Sequence, residues 1–250
     1  MTKTELKNRF TGAVLFSSVN PDDTVNTTIQ KAVEQATDLS FVNFSNLNLS
    51  ETNLSEANLN GADLLRTNLS NANLSGAMLS CANLTDPETY KKNGKANFIY
   101  ANLSGANLSG ANLRNVDFHG ANLSEANFNG ANLSGALFSN AILKDTDLSS
   151  ANLSEIKEDV FRLLSLTGNK IECVKTALLT GNFDEPSYIG NYSFLMDVIT
   201  GARQDKHQNT PANIFNAAQC WLMGINKGDT PENNQIAKIT IRWIDEYLSR

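Results

Sequence analysis

The sequence predicts a narrow β-solenoid with a small cap before it and a helical domain after it. Large apolar residues recur at every fifth position through most of the stretch between residues 39 and 153. A small residue, usually Ala, precedes most of them by two positions, and Asn or Asp lies between the two. Neither an α-helix nor an ordinary strand repeats with period five, so each unit is expected to form one side of a coil.

The order of residues within a unit predicts its conformation. A small apolar, a polar and a large apolar residue in succession indicate three extended residues with one face pointing inward. The two residues that follow are mostly Ser, Gly, Asn or Glu, which favour turns. Successive coils are then expected to stack at strand spacing, about 4.8 Å, through backbone hydrogen bonds.

The spacing of phenylalanines indicates how many units close one coil. Phe98, Phe118 and Phe138 are 20 residues apart, which favours four units per coil and stacks the three rings in one structural core column. The repeat holds ten units from Leu39 to Leu84 and twelve from Phe98 to Leu153. These units give about five and a half coils, or a rod about 26 Å long at strand spacing.

The tandem pattern A-(N/D)-L-x-x, seen as ANLSGANLSGANL from Ala101 to Leu113, resembles the pentapeptide repeat family. The resemblance covers residues 39–153 except for one insertion. It implies a right-handed quadrilateral β-helix. It implies no single activity, because the family includes proteins of unknown role, toxin-secretion effectors and DNA-mimicking topoisomerase protectors, and a fold does not determine a function.

One insertion interrupts the repeat between Leu84 and Phe98, whose spacing of 14 leaves nine extra residues at one corner. Residues 85–95 include Pro87 and an Asn-Gly pair, so a loop is predicted there. The loop also holds the densest basic cluster of the chain. We interpret it as a partner-contacting loop, while an inert corner insertion remains the alternative. The candidate contact residues are Tyr90, Lys91, Lys92 and Lys95.

The chain is expected to divide into three parts, because a solenoid exposes unpaired strand edges that need caps. Residues 1–37 are predicted to form an N-terminal cap, with a strand over Phe10–Phe16 and a helix over Val25–Ala36. Residues 38–153 form the repeat. Residues 154–250 are predicted to form an all-α domain, long enough to bury a core of its own.

Apolar periodicity in the last part predicts four to five helices. Thr230 is expected to cap the last of them and Pro231 to take its first position. Trp221 and Trp243 are expected to pack in the helical core, although tryptophan is also common at binding hot spots. The tail resembles helical extensions that follow pentapeptide repeats in some bacterial and phage proteins. The predicted helices are Glu155–Leu166, Ile171–Leu179, Asn191–Ala202, Pro211–Ile225 and a last one running to Leu248.

Nothing in the sequence indicates a catalytic, cofactor or metal site. His119 is expected to point outward from the coil, and His207 lies in a polar stretch between predicted helices. The three cysteines, Cys81, Cys173 and Cys220, are widely spaced and form no CxxC pair. Nucleophile, phosphate-loop and zinc-protease motifs do not occur. We therefore expect no enzyme activity and no cofactor.

Composition and charge bear on the partners. The net charge is −6, and the repeat has seven acidic against three basic residues, so direct binding to nucleic acid is not expected. Seven carboxylates also fall well short of the phosphate density of DNA, about one per 1.7 Å. Neither a signal peptide nor a membrane span is predicted. A cytoplasmic location follows, or a virion if a phage encodes the chain.

These observations favour a non-enzymatic protein-interaction or scaffold protein with an unidentified protein partner. The first alternative is a DNA mimic that binds a topoisomerase such as gyrase. The second is a structural protein of a phage particle, suggested only by the resemblance of the tail. Homodimer formation through the C-terminal domain is left open.

Overall fold

The computed structural model describes residues 4–20, 22–85, 95–167, 171–180, 225 and 230–250. A β-hairpin and one helix come first, the repeat follows, and three described helices come last. In chain order the regular elements are β1 (Glu5–Lys7), β2 (Val14–Ser17), α1 (Val25–Glu34), α2 (Ser154–Thr167), α3 (Ile171–Thr180) and α4 (Gln235–Leu248).

The repeat forms a coil in which each side touches the sides directly above and below it. Parallel bridges join residues that are 20 apart, such as Asn48 with Asn68 and Asn102 with Asn122. Across the insertion the separation becomes 29, as between Asn68 and Asn97, so nine extra residues leave the register unchanged. Four bridges, one for each side, occur in every 20 residues. The coil is therefore four-sided, and each side is too short to count as a strand.

The interior contains two side chains from each side, one small and one large. The alanines and the large centres of the repeat are almost all fully buried. Phe98 stacks on Phe118 with ring centroids 5.3 Å apart, and Phe118 on Phe138 at 5.4 Å, with the planes within 17° of parallel. Phe128, on the opposite side of the coil, meets Phe118 edge to face. Aromatic pairs in such geometries contribute about 0.5–1.5 kcal/mol beyond the area that they bury.

Each corner is a tight turn with a left-handed residue. Ala62 donates its N–H to the carbonyl of Leu59 at 3.0 Å, and Gly61, between them, has a φ of +62°. A positive φ at the third residue identifies a type II turn, which favours glycine or asparagine there. Here Phe41, Tyr100 and Glu125 also adopt it, with φ between 57° and 60°. The coil therefore imposes a backbone conformation that these residues do not favour on their own.

The outward Asn residues form ladders that run along the sides of the coil. Asn102 donates its amide to the side-chain oxygen of Asn73 and accepts the amide of Asn122, at 3.2 and 3.3 Å. The same oxygen accepts the backbone N–H of Ser104 at the corner, also at 3.2 Å. This double use explains why the repeat favours Asn or Asp between its two inward residues, although Met78, Leu137 and Ile142 show that the coil tolerates an apolar residue there.

The N-terminal cap differs from the predicted one. A strand was expected over Phe10–Phe16, but β1 pairs antiparallel with β2, and the turn between them includes Gly12, whose φ is +70°. The hairpin then closes one side of the first coil, since Asn43 donates its N–H to the carbonyl of Lys7 at 2.9 Å. The second half of the predicted strand is β2, which begins at Val14, whereas β1 and the turn before β2 were missed because the apolar run was treated as a strand without its partner. Helix α1 agrees with the predicted helix and ends two residues earlier.

The C-terminal helices begin where the last coil ends. Lys157 donates its N–H to the carbonyl of Leu153, so α2 continues directly from the final unit. Helix α4 packs against both α2 and α3. Phe161 meets Tyr247 with ring centroids 5.5 Å apart, and Trp243 is 7% exposed. None of the helices in the described residues has the length and apolar character needed to cross a membrane.

The predicted start of the last helix was wrong by four residues. Thr230 does not cap it, because residues 230–233 form a separate turn in which the Asn233 side chain accepts the N–H of Thr230 at 2.7 Å. Asn234 is the cap, and it accepts the N–H of Ala237 at 3.0 Å. The predicted helices Asn191–Ala202 and Pro211–Ile225, together with Trp221, lie outside the described residues except for Ile225, which is buried.

Replacing Phe118 tests the packing of the core column. We expect Phe118→Ala to lower the free energy of unfolding by about 3–5 kcal/mol, because the ring is fully buried and contacts three others. Phe118→Leu should lower it much less, since Leu49 and Leu69 occupy the same column. Urea unfolding followed by circular dichroism measures both. An alanine variant as stable as the original protein would place the ring outside the core.

Two substitutions of Asn102 separate the two roles of the ladder. Asn102→Ala removes the acceptor of the Ser104 N–H and should cost about 1–3 kcal/mol of unfolding free energy. Asn102→Asp keeps that acceptor and loses only the hydrogen bond donated to Asn73, so the loss of unfolding free energy should be smaller. Asp63 and Asp117 already occupy equivalent positions in the repeat. Equal losses in the same unfolding experiment would show that the oxygen does not hold the corner.

Candidate interaction surface

Most of the outer surface of the coil leaves few groups free to bind a partner. The ladder amides donate to one another, and their oxygens hold the corner N–H groups. A recognition site is therefore expected where the repeat departs from its usual residues. We call the side that carries the stacked rings the Phe side; its units are centred on Leu49, Leu69, Phe98, Phe118 and Phe138.

The insertion leaves the coil at a closed base next to the Phe side. Thr85 and Lys95 form an antiparallel bridge, and Ala96 donates its N–H to the carbonyl of Leu84 at 2.8 Å. Thr85 is buried, and Lys95 is half-buried at the foot of the loop. Of the four predicted contact residues, Lys95 alone is described. Tyr90, Lys91 and Lys92 lie outside the described residues, so their role remains a prediction.

A tyrosine–histidine pair follows on the Phe side. The hydroxyl of Tyr100 lies 3.2 Å from Nε2 of His119, and the two rings meet edge to face with centroids 5.3 Å apart. Tyr100 is 58% exposed and lies across Gly120 of the next coil. Sequence reasoning treated His119 as an isolated surface residue and missed this partner. The available signal was the pair Ile99-Tyr100, which replaces the usual Ser-Gly of a corner.

Two further apolar residues extend this pair. Ile99 and Leu137 are both half-buried, and Leu137 lies beside Asp117 in the next coil. Together with Tyr100 and His119 they form what we call the aromatic patch. The patch lies on the side of the coil that the chain enters directly after the insertion. The base of the insertion and the patch thus lie next to each other, while other exposed apolar residues of the coil, such as Met78 and Ile142, lie on other sides.

The charges of the repeat do not form a continuous stripe. Glu56, Glu125 and Asp145 share one corner column, but Gly76 and Gly105 separate the first of them from the other two. Lys144 lies next to Asp145 in the same turn. On another corner, Arg114 forms an ion pair with Glu155 of α2. The electrostatic surface of the rod is therefore mixed and weak.

No group of three or more His, Cys, Asp or Glu side chains in the described residues is placed to hold a metal ion. Cys81 is exposed at a corner and carries a free thiol. His207 and Cys220 lie outside the described residues. The base of the insertion and the aromatic patch are therefore the strongest candidate for function in this part of the chain.

The fold and this surface together define a four-sided solenoid protein with an irregular side. Pentapeptide repeats match the chain in eight copies, within residues 37–76, 52–86, 95–130 and 121–156. The chain belongs, through this repeat, to the pentapeptide repeat family. Membership carries with it the expectation of a right-handed quadrilateral β-helix.

Several solved structures are similar to the repeat. A pentapeptide repeat protein from Nostoc Pcc 7120 is 29% identical, over 52% of this chain and 90% of its own, with a TM-score of 0.36. One from the Arabidopsis thaliana thylakoid lumen is 28% identical over 46% and 75%, with a TM-score of 0.24. HetL from Nostoc sp. PCC 7120, involved in heterocyst differentiation regulation, is 31% identical over 44% and 67%, with a TM-score of 0.15. No curated protein sequence matches the chain.

A matched pair of glycines tests how Tyr100 is seated. Gly105 and Gly120 share a φ of +66°. A Cβ added at Gly120 would lie 2.4 Å from the Tyr100 ring, whereas a Cβ added at Gly105 would have no neighbour closer than 4.0 Å. We expect Gly105→Ala to lower the free energy of unfolding by about 1 kcal/mol, because alanine disfavours the left-handed backbone. Gly120→Ala should lower it more, because the new methyl group also meets the Tyr100 ring.

Tyr100→Ala should remove the excess cost of Gly120→Ala and leave that of Gly105→Ala unchanged. A double-mutant cycle of unfolding free energies measures this coupling. The absence of coupling between Tyr100 and Gly120 would show that the ring does not rest on that corner.

Proposed function

We propose that this chain is a non-enzymatic protein-interaction scaffold that presents the insertion and the aromatic patch to a protein partner. The observation that carries this proposal is the register of the coil across the insertion. Bridges 20 residues apart become bridges 29 apart, and the sides above and below continue undisturbed. A loop that can be added without disturbing its support is suited to recognition.

The chemistry of the patch supports this role. Partly exposed aromatic side chains bury a large area at a small cost in conformational entropy, which is why Tyr is enriched at binding hot spots. The Tyr100 ring is fixed between Gly120 and His119, so little freedom is left for it to lose on binding. A rigid aromatic group beside a basic loop favours a partner surface with apolar and acidic groups.

A topoisomerase-binding DNA mimic is the second candidate, and the corner column with Glu56, Glu125 and Asp145 is the observation in its favour. Three carboxylates along five stacked coils fall far short of one charge per about 1.7 Å. A supercoiling assay with gyrase distinguishes the candidates: we expect no inhibition and no protection at micromolar protein. Clear inhibition would favour the mimic. The phage-particle role and a homodimer through the C-terminal helices stay predictions.

Deleting residues 86–94 tests the scaffold proposal directly. The deletion joins Thr85 to Lys95 and restores the five-residue period through Ala96 and Phe98. Because Thr85 and Lys95 are already bridged, we expect the melting temperature to change by less than about 4 °C, the shift that roughly 1 kcal/mol produces. Unfolding of the deletion variant would show that the loop supports the coil.

Affinity capture from the native host with full-length baits then measures binding. We expect a partner retained by the original protein to be lost with the deletion variant and with Ile99→Ser/Tyr100→Gly, which restores the usual corner residues. Met78→Asn is the matched control, because it also restores a common repeat residue at an exposed apolar position, away from the Phe side. Capture retained by both the deletion variant and Ile99→Ser/Tyr100→Gly, or lost to the same extent in Met78→Asn, would contradict the proposal.

A further inference from the structure

Two corners of the coil contain an Asn-Gly pair in nearly the same local sequence. The residues read Leu-Asn-Gly-Ala around Asn60 and Phe-Asn-Gly-Ala around Asn129. Both corners lie in one column, because the sides that precede them are joined through the bridges of Met78 and Asn107. A third pair, Asn93-Gly94, lies outside the described residues. The two described pairs therefore differ in their surroundings much more than in their sequence.

The corner at Asn60 is held by hydrogen bonds to the next coil and to the N-terminal cap. Gly61 donates its N–H to the carbonyl of Ser80 at 2.8 Å, and the side-chain oxygen of Asn60 accepts the N–H of Ser80 at 2.9 Å. The Arg9 guanidinium donates to the carbonyl of Gly61 at 3.1 Å. Backbone and side-chain groups of this pair are therefore both engaged.

The corner at Asn129 lacks these contacts. Asn129 is exposed, and its side chain has no hydrogen-bond partner among the described residues. Its carbonyl accepts the N–H of Gly110 at 2.9 Å, but the N–H of Gly130 reaches no acceptor in the described part of the chain. The Gly130 nitrogen and the side-chain amide of Asn129 are therefore both free at an exposed corner.

The free N–H of Gly130 has its cause in the last coil. The pattern of the earlier corners assigns the carbonyl of Ser149 as its acceptor. Ser150, unlike the corresponding residue of the earlier described corners, does not have a positive φ, although Ala151 still closes the turn with a hydrogen bond of 3.2 Å. Without the positive φ the turn is of type I, and its central peptide has the opposite orientation to that of type II. The carbonyl of Ser149 is therefore turned away from Gly130.

Free groups of this kind are the reactants of a spontaneous reaction. The backbone nitrogen that follows an asparagine, once deprotonated, attacks the side-chain carbonyl carbon, forms a cyclic succinimide and expels ammonia. Water then opens the ring and leaves aspartate or isoaspartate, in which the main chain runs through the side-chain carbon. Glycine favours the attack, because it has no side chain to shield the nitrogen and leaves the backbone free to rotate.

We propose that Asn129 is a site of spontaneous deamidation and that the fold protects Asn60 from the same reaction. The Gly130 nitrogen loses its proton to water and bonds to Cγ of Asn129, the side-chain amide leaves as ammonia, and a water molecule hydrolyses the ring. Attack requires the corner to open, and opening breaks fewer hydrogen bonds at Asn129 than at Asn60.

The modification changes the end of the rod that adjoins the C-terminal helices. Each product adds one negative charge to the column that continues to Ser149. Isoaspartate also adds one carbon to the main chain at a corner that is built for two residues. This reaction needs no partner, so the proposal is independent of the role of the insertion and the aromatic patch.

Mass spectrometry of tryptic peptides measures both sites in one sample. The full chain is kept at pH 8 and 37 °C in ¹⁸O-labelled water, and fragment spectra locate the label at each asparagine. We expect Asn129 to deamidate at least tenfold faster than Asn60, the ratio that about 1.4 kcal/mol of additional protection produces. In the chain unfolded by urea the two rates should agree within about twofold, because the local sequences match.

A variant confirms the assignment of the label. Asn129→Ser gives this corner the Ser-Gly pair that is usual in the repeat, and it should abolish labelling there without changing the rate at Asn60. Equal rates at Asn60 and Asn129 in the folded protein, or no label at Asn129, would overturn the proposal. A tenfold ratio that persists in urea would overturn it too, because the difference would then come from the sequence and not from the corner.

Discussion

The whole coil depends on fitting one small and one large side chain into the interior from every side. Ala and Leu or Phe alternate with an outward residue, and almost all of them are fully buried. A core this narrow has no room for a second layer, so a polar group placed there is kept from water and needs a backbone partner, as the inward hydroxyls of Thr67 and Thr146 find in the carbonyls of Phe44 and Leu123. The five-residue period follows from the same limit, because three extended residues span one side and two are needed to turn.

The same geometry determines what the outer surface is able to do. Most outward Asn side chains accept the N–H of their corner, and several, such as Asn102, are also joined to their neighbours in the ladder, whereas the Oδ1 of Asn112 has no partner among the described residues. A regular surface of this kind is already satisfied by its own hydrogen bonds and offers a partner little to gain. We therefore propose that recognition uses positions that break the pattern, namely the insertion and the Ile99-Tyr100 corner.

The sequence was a good guide where side-chain pattern alone decides the structure. The five-residue units, the 20-residue coil and the column of Phe98, Phe118 and Phe138 all follow from burial periodicity. The left-handed backbone at Phe41 and Tyr100 could not be predicted, because bulky residues disfavour it and only the closed coil requires it. For the same reason the contact between Tyr100 and His119, which joins two successive coils, had no local signal beyond an unusual corner.

The ends were harder to predict, because their structure depends on contacts between distant segments. The apolar run from Phe10 to Phe16 resembles one strand, yet only its second half belongs to β2. The partner strand β1 forms from Glu5–Lys7, where pairing with β2 and with the first coil is available. At the start of α4, both Thr230 and Asn234 are residues that favour a cap. Thr230 is used in a local turn with Asn233, which leaves Asn234 to cap the helix.

The two ends of the rod differ in how they treat their unpaired edges. At the N-terminal end β1 covers one side, while the N–H groups of Asn48 and Asn53 have no partner in the described chain. Glu51 and Glu56 stand at the corners of those sides, and charge at an open edge disfavours the addition of a strand. At the C-terminal end the corresponding edge carries Asp145 and Asp147 opposite Lys238 and Arg242 of α4, and its Thr146 and Leu148 are almost fully buried. The rod thus treats its two ends differently, because charged corners flank the open sides of the first coil, whereas the edge of the last coil is buried.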